Sequence, residues 1–189
     1  MLPLWRVTRN RFGKRLHARL DDLGITVSRL DEYRVPLAED DTATTPDGVS
    51  IRPVDPESLP AEVPVEELVD DETVLAAVDD GVAGYVFVSV DARVPVPELG
   101  TAMAFDGAYV RRLYVDPAHR HRGIASGLVD AAKALGADRG ADAAVALVAV
   151  DNRPSQWTFE ARGFEPVARH AYDRLWRLER RRRRSLPDD

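Results

Sequence analysis

The sequence contains no cysteine and almost no lysine. Without a thiol, the chain has no disulfide, no thiolate metal ligand and no cysteine nucleophile. It also lacks any run of about 18 apolar residues, the length that a membrane-spanning helix needs, so no membrane partner is expected. The N-terminal stretch has arginines but no apolar core, which argues against a secretory signal and favours a cytoplasmic protein.

Acidic residues outnumber basic ones. The chain has 32 Asp and Glu against 26 Lys and Arg, which gives a net charge of −6, and only Lys14 and Lys133 are lysines. A negative total argues against a nucleic-acid partner. A composition rich in Arg and Asp but poor in Lys is typical of halophilic archaea or high-GC bacteria, and on that basis we expect a halophilic archaeal source.

At 189 residues, the chain is long enough for one main domain. Leucines at helical spacing predict an amphipathic helix over residues 8–23, and the polar, turn-rich residues 36–48 predict a linker. We therefore divide the chain into an N-terminal helical arm and linker (1–48), a main domain (49–178) and a disordered Arg-rich tail (179–189).

The order of strand and helix signals predicts a mixed α/β layer fold. The predicted strands are 49–54, 73–78, 81–90, 108–115, 143–150, 165–169 and 172–178, and the predicted helices are 123–139 and 154–162. The strand from Ala143 to Val150 is an unbroken apolar run, as expected for a strand that is covered on both faces.

One turn between a strand and a helix has a pattern suited to binding phosphate. After the strand, Asp116-Pro117 turns the chain, and the helix opens with RHRGIA at residues 120–125. Backbone N–H groups at a helix start have no intrahelical partner and lie at the positive end of the helix dipole, so they can bind a diphosphate. Gly123 lets phosphate oxygens approach the backbone, and the arginines add positive charge. An ordinary helix start is the alternative.

This segment resembles motif A of the GNAT superfamily of acyl-CoA N-acyltransferases, whose signature is Arg/Gln-x-x-Gly-x-Gly/Ala. Further along, the family has an Asn, a Tyr or Phe seven residues later, and then a Gly-Phe pair; Asn152, Phe159 and Gly163-Phe164 stand in that register. The resemblance covers about residues 49–178. It implies a central mixed sheet flanked by helices, in which the parallel strands 108–115 and 143–150 splay apart at their C-terminal ends.

The resemblance also implies where acetyl-CoA binds. The pantetheine arm would lie between the splayed strands, the diphosphate would lie on the amides of residues 121–126, and Asn152 and Phe159 would lie near the thioester. The cofactor-binding residues that it implies are Leu113, Tyr114, Val115, Arg120, His121, Arg122, Gly123, Ile124, Ala125, Ser126, Asn152 and Phe159. No metal is expected, because no pair of histidines stands with Asp or Glu at ligand spacing.

The implied activity is that of an N-acetyltransferase, in which a primary amine attacks the thioester of acetyl-CoA directly. Backbone N–H groups around Val115 would polarise the carbonyl, and the amine must first lose a proton. No catalytic residue is assigned. Phe159 stands where many family members have a Tyr that protonates the thiolate. The usual Glu is absent from the start of the strand, and the nearest acids are Glu98 and Asp106.

Two other functions stay open. An acetyl-CoA-binding sensor or degenerate enzyme would bind the cofactor without turnover, which the presence of Phe159 and the missing Glu both allow. A nucleic-acid-associated protein would use the arginines of residues 180–184, although the net charge of −6 argues against it.

The acceptor side of the site is predicted to be open. Family members usually have one or two helices between their first two strands, but residues 55–72 contain three prolines and allow at most one short helix, at 65–69. The N-terminal arm or the second subunit of a homodimer would then cover the site. The long loop 91–107 is another candidate for shaping the acceptor pocket, as are three tyrosines, Tyr85, Tyr109 and Tyr114.

Overall fold

The computed structural model describes residues 25–38 and 45–187. Its strands are β1 (Ile25–Pro36), β2 (Ser50–Val54), β3 (Thr73–Val78), β4 (Val82–Val90), β5 (Arg93–Val96), β6 (Thr101–Ala104), β7 (Ala108–Val115), β8 (Ala143–Ala149), β9 (Glu165–Leu175) and β10 (Leu178–Ser185), and its α-helices are α1 (Ile124–Asp138) and α2 (Arg153–Glu160). Within these residues, no helix combines the length and the apolar character needed to cross a membrane.

Eight strands form one mixed sheet, in the order β10-β9-β1-β8-β7-β4-β3-β2. Neighbouring strands are antiparallel except for β7 and β8, which are parallel. The helices flank the sheet, and β5 and β6 form a separate hairpin. This is the mixed, helix-flanked sheet that the sequence predicts.

The two faces of the sheet carry different cores, because side chains alternate along each strand. On one face, Ala144 and Val148 of β8 pack in a cluster with α1 and α2 that includes Leu128 and Phe159. On the other face, Val145 packs with the β5–β6 hairpin. Helix α1 can lie close to β7 because residue 136 is a glycine: a Cβ there would come within 2.5 Å of the Ala108 Cβ.

Strand β1 differs most from the predicted organisation. Residues 25–36 were assigned to an N-terminal arm and linker, but they form a central strand between β8 and β9, antiparallel to both. Three of its side chains, Leu30, Tyr33 and Val35, are buried in the cores. Local sequence patterns do not reveal such a strand, since its partners are distant: Glu32 and His170 are 138 residues apart. The predicted helix over 8–23 lies outside the described residues.

The C-terminal prediction of disorder is wrong for residues 179–185, which belong to β10 and pair with β9 at the edge of the sheet. Their side chains are exposed, but a ladder of backbone hydrogen bonds does not require apolar side chains. The turn before β10 lies at Trp176-Arg177 instead of near residue 170, where the sequence prediction divided two strands. Arg181 fixes β10 further, because it lies 4.8 Å from the Tyr172 ring and donates to the carbonyl of Leu99.

Candidate active site

Strands β7 and β8 diverge almost as soon as they meet. They pair only at Ala108 with Ala144 and at Tyr109 with Val145. Beyond this point β7 continues to pair with β4, and its register shifts at a β-bulge where Arg112 has a φ of 57°. A bulge bends and twists a strand, which turns the C-terminal half of β7 away from β8. The predicted splay of the two strands is therefore confirmed.

A cavity of about 650 Å³ lies at this divergence. It is lined by β7, by the C-terminal end of β8, by the start of α2 and by residues 66–69 and 95–98. Of the residues predicted to bind the cofactor, Leu113, Asn152 and Phe159 line this cavity. The predicted phosphate-binding residues 120–126 lie beyond it, around the start of α1.

The start of α1 presents unpaired backbone N–H groups. Its first hydrogen bond runs from the N–H of Gly127 to the carbonyl of Gly123, at 3.0 Å, so the amides of residues 123–126 have no partner within the helix. Gly123 has a φ of 78°, a conformation that favours glycine, and the nearest atom to an added Cβ would be the Pro46 Cγ at 3.7 Å. Among the described residues, it is therefore the backbone conformation and not crowding that favours a glycine at this position.

Two arginines flank this helix start, and each already has a partner. The Nε of Arg120 donates to the carbonyl of Val115 at 3.2 Å. Arg122 forms an ion pair of 2.9 Å with Asp79 in the β3–β4 turn. Both arginines are exposed, and exposed ion pairs contribute little to stability, so these side chains can change partners at small cost.

The residues at the other end of the cavity are held by the junction between β8 and α2. The N–H of Asn152 donates to the carbonyl of Ala149 at 2.8 Å, and its side-chain amide donates to Ser155 at 2.6 Å. Phe159 is buried and packs edge-on against Phe164, with the ring centroids 5.0 Å apart. Both side chains are thus fixed before any ligand binds, and Phe159 belongs to the core as well as to the cavity wall.

The segment over the cavity, residues 55–72, is held to β7 by charge. It contains two 3-10 helices, Pro56–Ser58 and Val65–Glu67, and no α-helix, whereas the sequence predicts at most one short helix, at 65–69. Arg111 makes two hydrogen bonds to the fully buried Glu72 carboxylate, at 2.8 and 2.5 Å, and Arg112 forms an ion pair with Glu67. The sequence analysis did not single out these residues; charged side chains at consecutive positions of a strand were the available signal.

Three polar side chains of the cavity wall, Glu66, Glu98 and Tyr109, have no hydrogen-bond or ion-pair partner among the described residues. Glu98 follows β5 and lines the cavity, and it makes no ion pair or hydrogen bond with any described residue. Tyr109 also lines the cavity and stacks on Phe105 at 3.7 Å, and burial raises the pKa of its hydroxyl, which stays protonated. Tyr85 and Tyr114 pack against each other, 5.3 Å apart, away from the cavity lining.

Comparison with known proteins agrees with this geometry. The Acetyltransferase (GNAT) family model matches residues 37–164, more than half of the chain. No curated protein matches the sequence.

Solved structures give the same fold. A GCN5-related N-acetyltransferase from Sphaerobacter thermophilus has a TM-score of 0.55 at 16% identity, over 86% of this chain and 55% of that one. A Drosophila protein has a TM-score of 0.54 at 17% identity, over 93% of this chain and 63% of that one. A putative acetyltransferase of the GNAT family from Novosphingobium aromaticivorans has a TM-score of 0.53 at 16% identity, over 79% of this chain and 65% of that one. The chain thus spans less than two thirds of each of these proteins. With its diverging strands, its exposed helix start and the family match, the chain belongs to the GNAT family of acetyltransferases.

Proposed function

We propose that this protein transfers the acetyl group of acetyl-CoA to a primary amine. The observation that carries the proposal is the divergence of β7 and β8 around a cavity, beside the start of α1. A long, polyanionic thioester needs these two features together, because the helix start can bind its diphosphate while its arm reaches the cavity. A small anion would need only the helix start.

On the cofactor side, the amides of residues 123–126 would bind the diphosphate, with Arg120 and Arg122 neutralising its charge. The pantetheine arm would extend along the edge of β7 that β8 leaves unpaired, where Leu113 and Val115 offer backbone groups. Arg120 would then exchange its bond to the Val115 carbonyl for a phosphate oxygen. With Asn152 and Phe159 at the thioester end, these roles cover the residues that the sequence predicts for the cofactor, except Tyr114 and His121.

The chemistry would take place where the strands part. The amine nitrogen forms a bond to the thioester carbonyl carbon, the C–S bond breaks, and the thiolate of CoA leaves. Backbone N–H groups beside the bulge of β7 would stabilise the oxyanion, which is the largest contribution in many acyl transfers. Asn152 and Phe159 would border the thioester and fix its position.

The acceptor side supplies a proton acceptor and a proton donor. An alkyl ammonium has a pKa of about 10.4 and must lose its proton before it attacks. Two carboxylates of the cavity wall, Glu66 and Glu98, have no ionic partner among the described residues. We assign Glu98 as the proton acceptor, because it is the one whose charge acts on Tyr109. Tyr109 has a hydroxyl that stays protonated and borders the same cavity as Phe159, so it would donate to the departing thiolate.

Calorimetry with acetyl-CoA and a thiol-release assay with a panel of amines test the proposal together. Because the chain has no cysteine, a thiol reagent reports only the CoA that is released. We expect binding of acetyl-CoA, and thiol release that depends on the amine. Binding without release for every amine would favour the sensor, whose support is the absence of a Tyr at position 159. No binding by the folded protein would overturn both functions.

A further inference from the structure

Strand β10 carries a row of arginines along the edge of the sheet. Arg180, Arg182 and Arg184, the arginine row, alternate along the strand and therefore extend from one face, with about 6.6–6.8 Å between successive members. All three are exposed. Their neighbours in β9 are Asp173, Ala171 and Arg169, in register.

The row has far more positive charge than its surroundings neutralise. Arg184 lies directly opposite Arg169, whose charge is already paired with the Asp31 carboxylate at 2.6 Å, so Arg184 gains no counter-charge from this position. Arg182 lies 3.4 Å from Asp173, but that carboxylate already binds Arg29 at 2.6 Å. Neither Arg180 nor Arg184 forms an ion pair with any residue that the structure describes.

Charge is also segregated over the whole chain. Residues 165–187 contain eight arginines and three acidic residues, a net charge of +5, so the rest of the chain has −11 within the total of −6. The total charge of −6 argues against a polyanionic partner, but it does not reflect the excess of positive charge in residues 165–187. A second copy paired edge to edge at β10 would place one arginine row against another, so an antiparallel β10 pair is electrostatically unfavourable.

The turn next to the row presents an aromatic side chain. Trp176 is 76% exposed, at the tip between β9 and β10. A basic strip that ends beside an exposed aromatic ring is the combination by which proteins bind single-stranded nucleic acid, with arginines on phosphates and a base on the ring.

We propose that the arginine row and Trp176 form a binding surface for single-stranded nucleic acid. Successive phosphates would pair with Arg180, Arg182 and Arg184, and a base would stack on Trp176. This surface is separate from the acetyl-transfer site, since none of the four residues lines the cavity.

Fluorescence anisotropy of the full chain with a labelled 12-nucleotide oligo(U) tests the proposal. With three phosphates neutralised, the logarithm of the association constant should fall against the logarithm of salt concentration with a slope of about −2, since each contact contributes about −0.7. The double substitution R180Q/R184Q leaves one contact, so the slope should fall to about −0.7 and the affinity at 0.1 M salt should drop about 20-fold. W176A should weaken binding and leave the slope unchanged.

The matched control is R52Q/R93Q, which removes the same charge from two other exposed arginines. It should bind the oligonucleotide as the wild type does. Equal losses in the two double variants would overturn the proposal, because the binding would then depend on net charge alone. No binding of the oligonucleotide at 50 mM salt would also overturn it, as would binding to anionic vesicles or to polyglutamate in place of the oligonucleotide.

Discussion

Arg111 and Glu72 form a buried, bidentate ion pair that joins two elements of the site. Arg111 belongs to β7 at the point where that strand leaves β8, and Glu72 ends the segment that lies over the cavity. Arg111 also donates to the backbone carbonyl of Glu67, at 2.6 Å, and lies 5.3 Å from the Phe87 ring. One guanidinium thus holds the segment over the cavity, which contains 3-10 helices but no α-helix.

Replacing Glu72 by Gln should destabilise the protein strongly. The change removes the nearest counter-charge of the buried Arg111 and leaves only the Glu67 carboxylate, at 3.9 Å. Loss of one partner of a buried ion pair typically costs about 3–5 kcal/mol. Urea unfolding of E72Q measures it. The control is D79N, which breaks the exposed pair with Arg122 and should cost about 1 kcal/mol or less. Similar losses in the two variants would contradict a special role for the buried pair.

Gly123→Glu should abolish binding of acetyl-CoA. The new side chain would place a carboxylate where the diphosphate binds, and Glu at a φ of 78° also strains the backbone. Gly140→Glu is the control. Gly140 follows α1, has a φ of 82° and has no atom within 4 Å of an added Cβ. This substitution therefore adds the same backbone strain and the same charge away from the site. We expect calorimetry to show at least a 100-fold loss for the first variant and unchanged binding for the second. A loss in both would mean that unfolding or charge, rather than the site, is responsible.

Glu98→Gln should lower kcat/KM by about 100-fold, the usual scale for loss of a general base. The loss should diminish at high pH, where more of the amine is already deprotonated. Asp106→Asn is the matched control, because Asp106 is exposed and does not line the cavity. Steady-state rates from pH 7 to 10 check this. A Glu98→Gln loss that stays constant across the range would indicate a positioning role for the carboxylate instead.

Tyr109→Phe should lower kcat by about tenfold or more and leave the affinity for acetyl-CoA unchanged, since only the departing thiolate needs the proton. Because burial raises the pKa of Tyr109, the wild-type rate should show no loss from its ionisation up to about pH 10. Tyr172→Phe, a buried tyrosine of the same core cluster that lies outside the cavity lining, should behave as the wild type does. A normal kcat in Tyr109→Phe would show that the thiolate leaves unaided.

Glu32 should make stability depend on pH in the acid range. Its hydrogen bond with His170, at 2.7 Å, and the nearby Arg183 hold the pKa of this carboxyl below its usual value. The stability that the ionised form contributes is therefore present above about pH 5 and is lost as the pH falls through the lowered pKa. The difference in unfolding free energy between the wild type and Glu32→Gln should therefore be larger at pH 5 than at pH 3. Glu165→Gln, at an exposed residue of β9, should show no such change.

Much of the domain could be predicted from the sequence, because the signals are local. The apolar run of β8 and the glycine that precedes α1 give boundaries within one or two residues of those in the structure. Strand β1 could not be predicted in this way, since its place in the sheet depends on β8 and β9, more than a hundred residues away. The run of arginines in β10 predicts disorder because like charges repel. The strand is ordered nevertheless, because its backbone pairs with β9.

In the candidate site too, some residues can be predicted from local sequence and others only from the tertiary structure. Asn152 and Phe159 follow from a fixed spacing, and the structure places both in the cavity wall. Arg111, Glu72 and Glu98 depend on how the segments over the cavity fold back onto β7, which no spacing records. Sequence motifs can therefore predict the cofactor side of the site, whereas the acceptor side depends on the tertiary structure.

The central position of β1 also has a consequence for how the chain folds. This strand is synthesised before both of its neighbours, which lie more than a hundred residues later, so the sheet cannot close until β9 has left the ribosome. Contacts over such long separations slow folding, because loop-closure entropy must be lost before the strand gains its partners. Until then the apolar side chains of β1 and the open edge of β8 are exposed together, which makes this stage of folding the one most prone to aggregation.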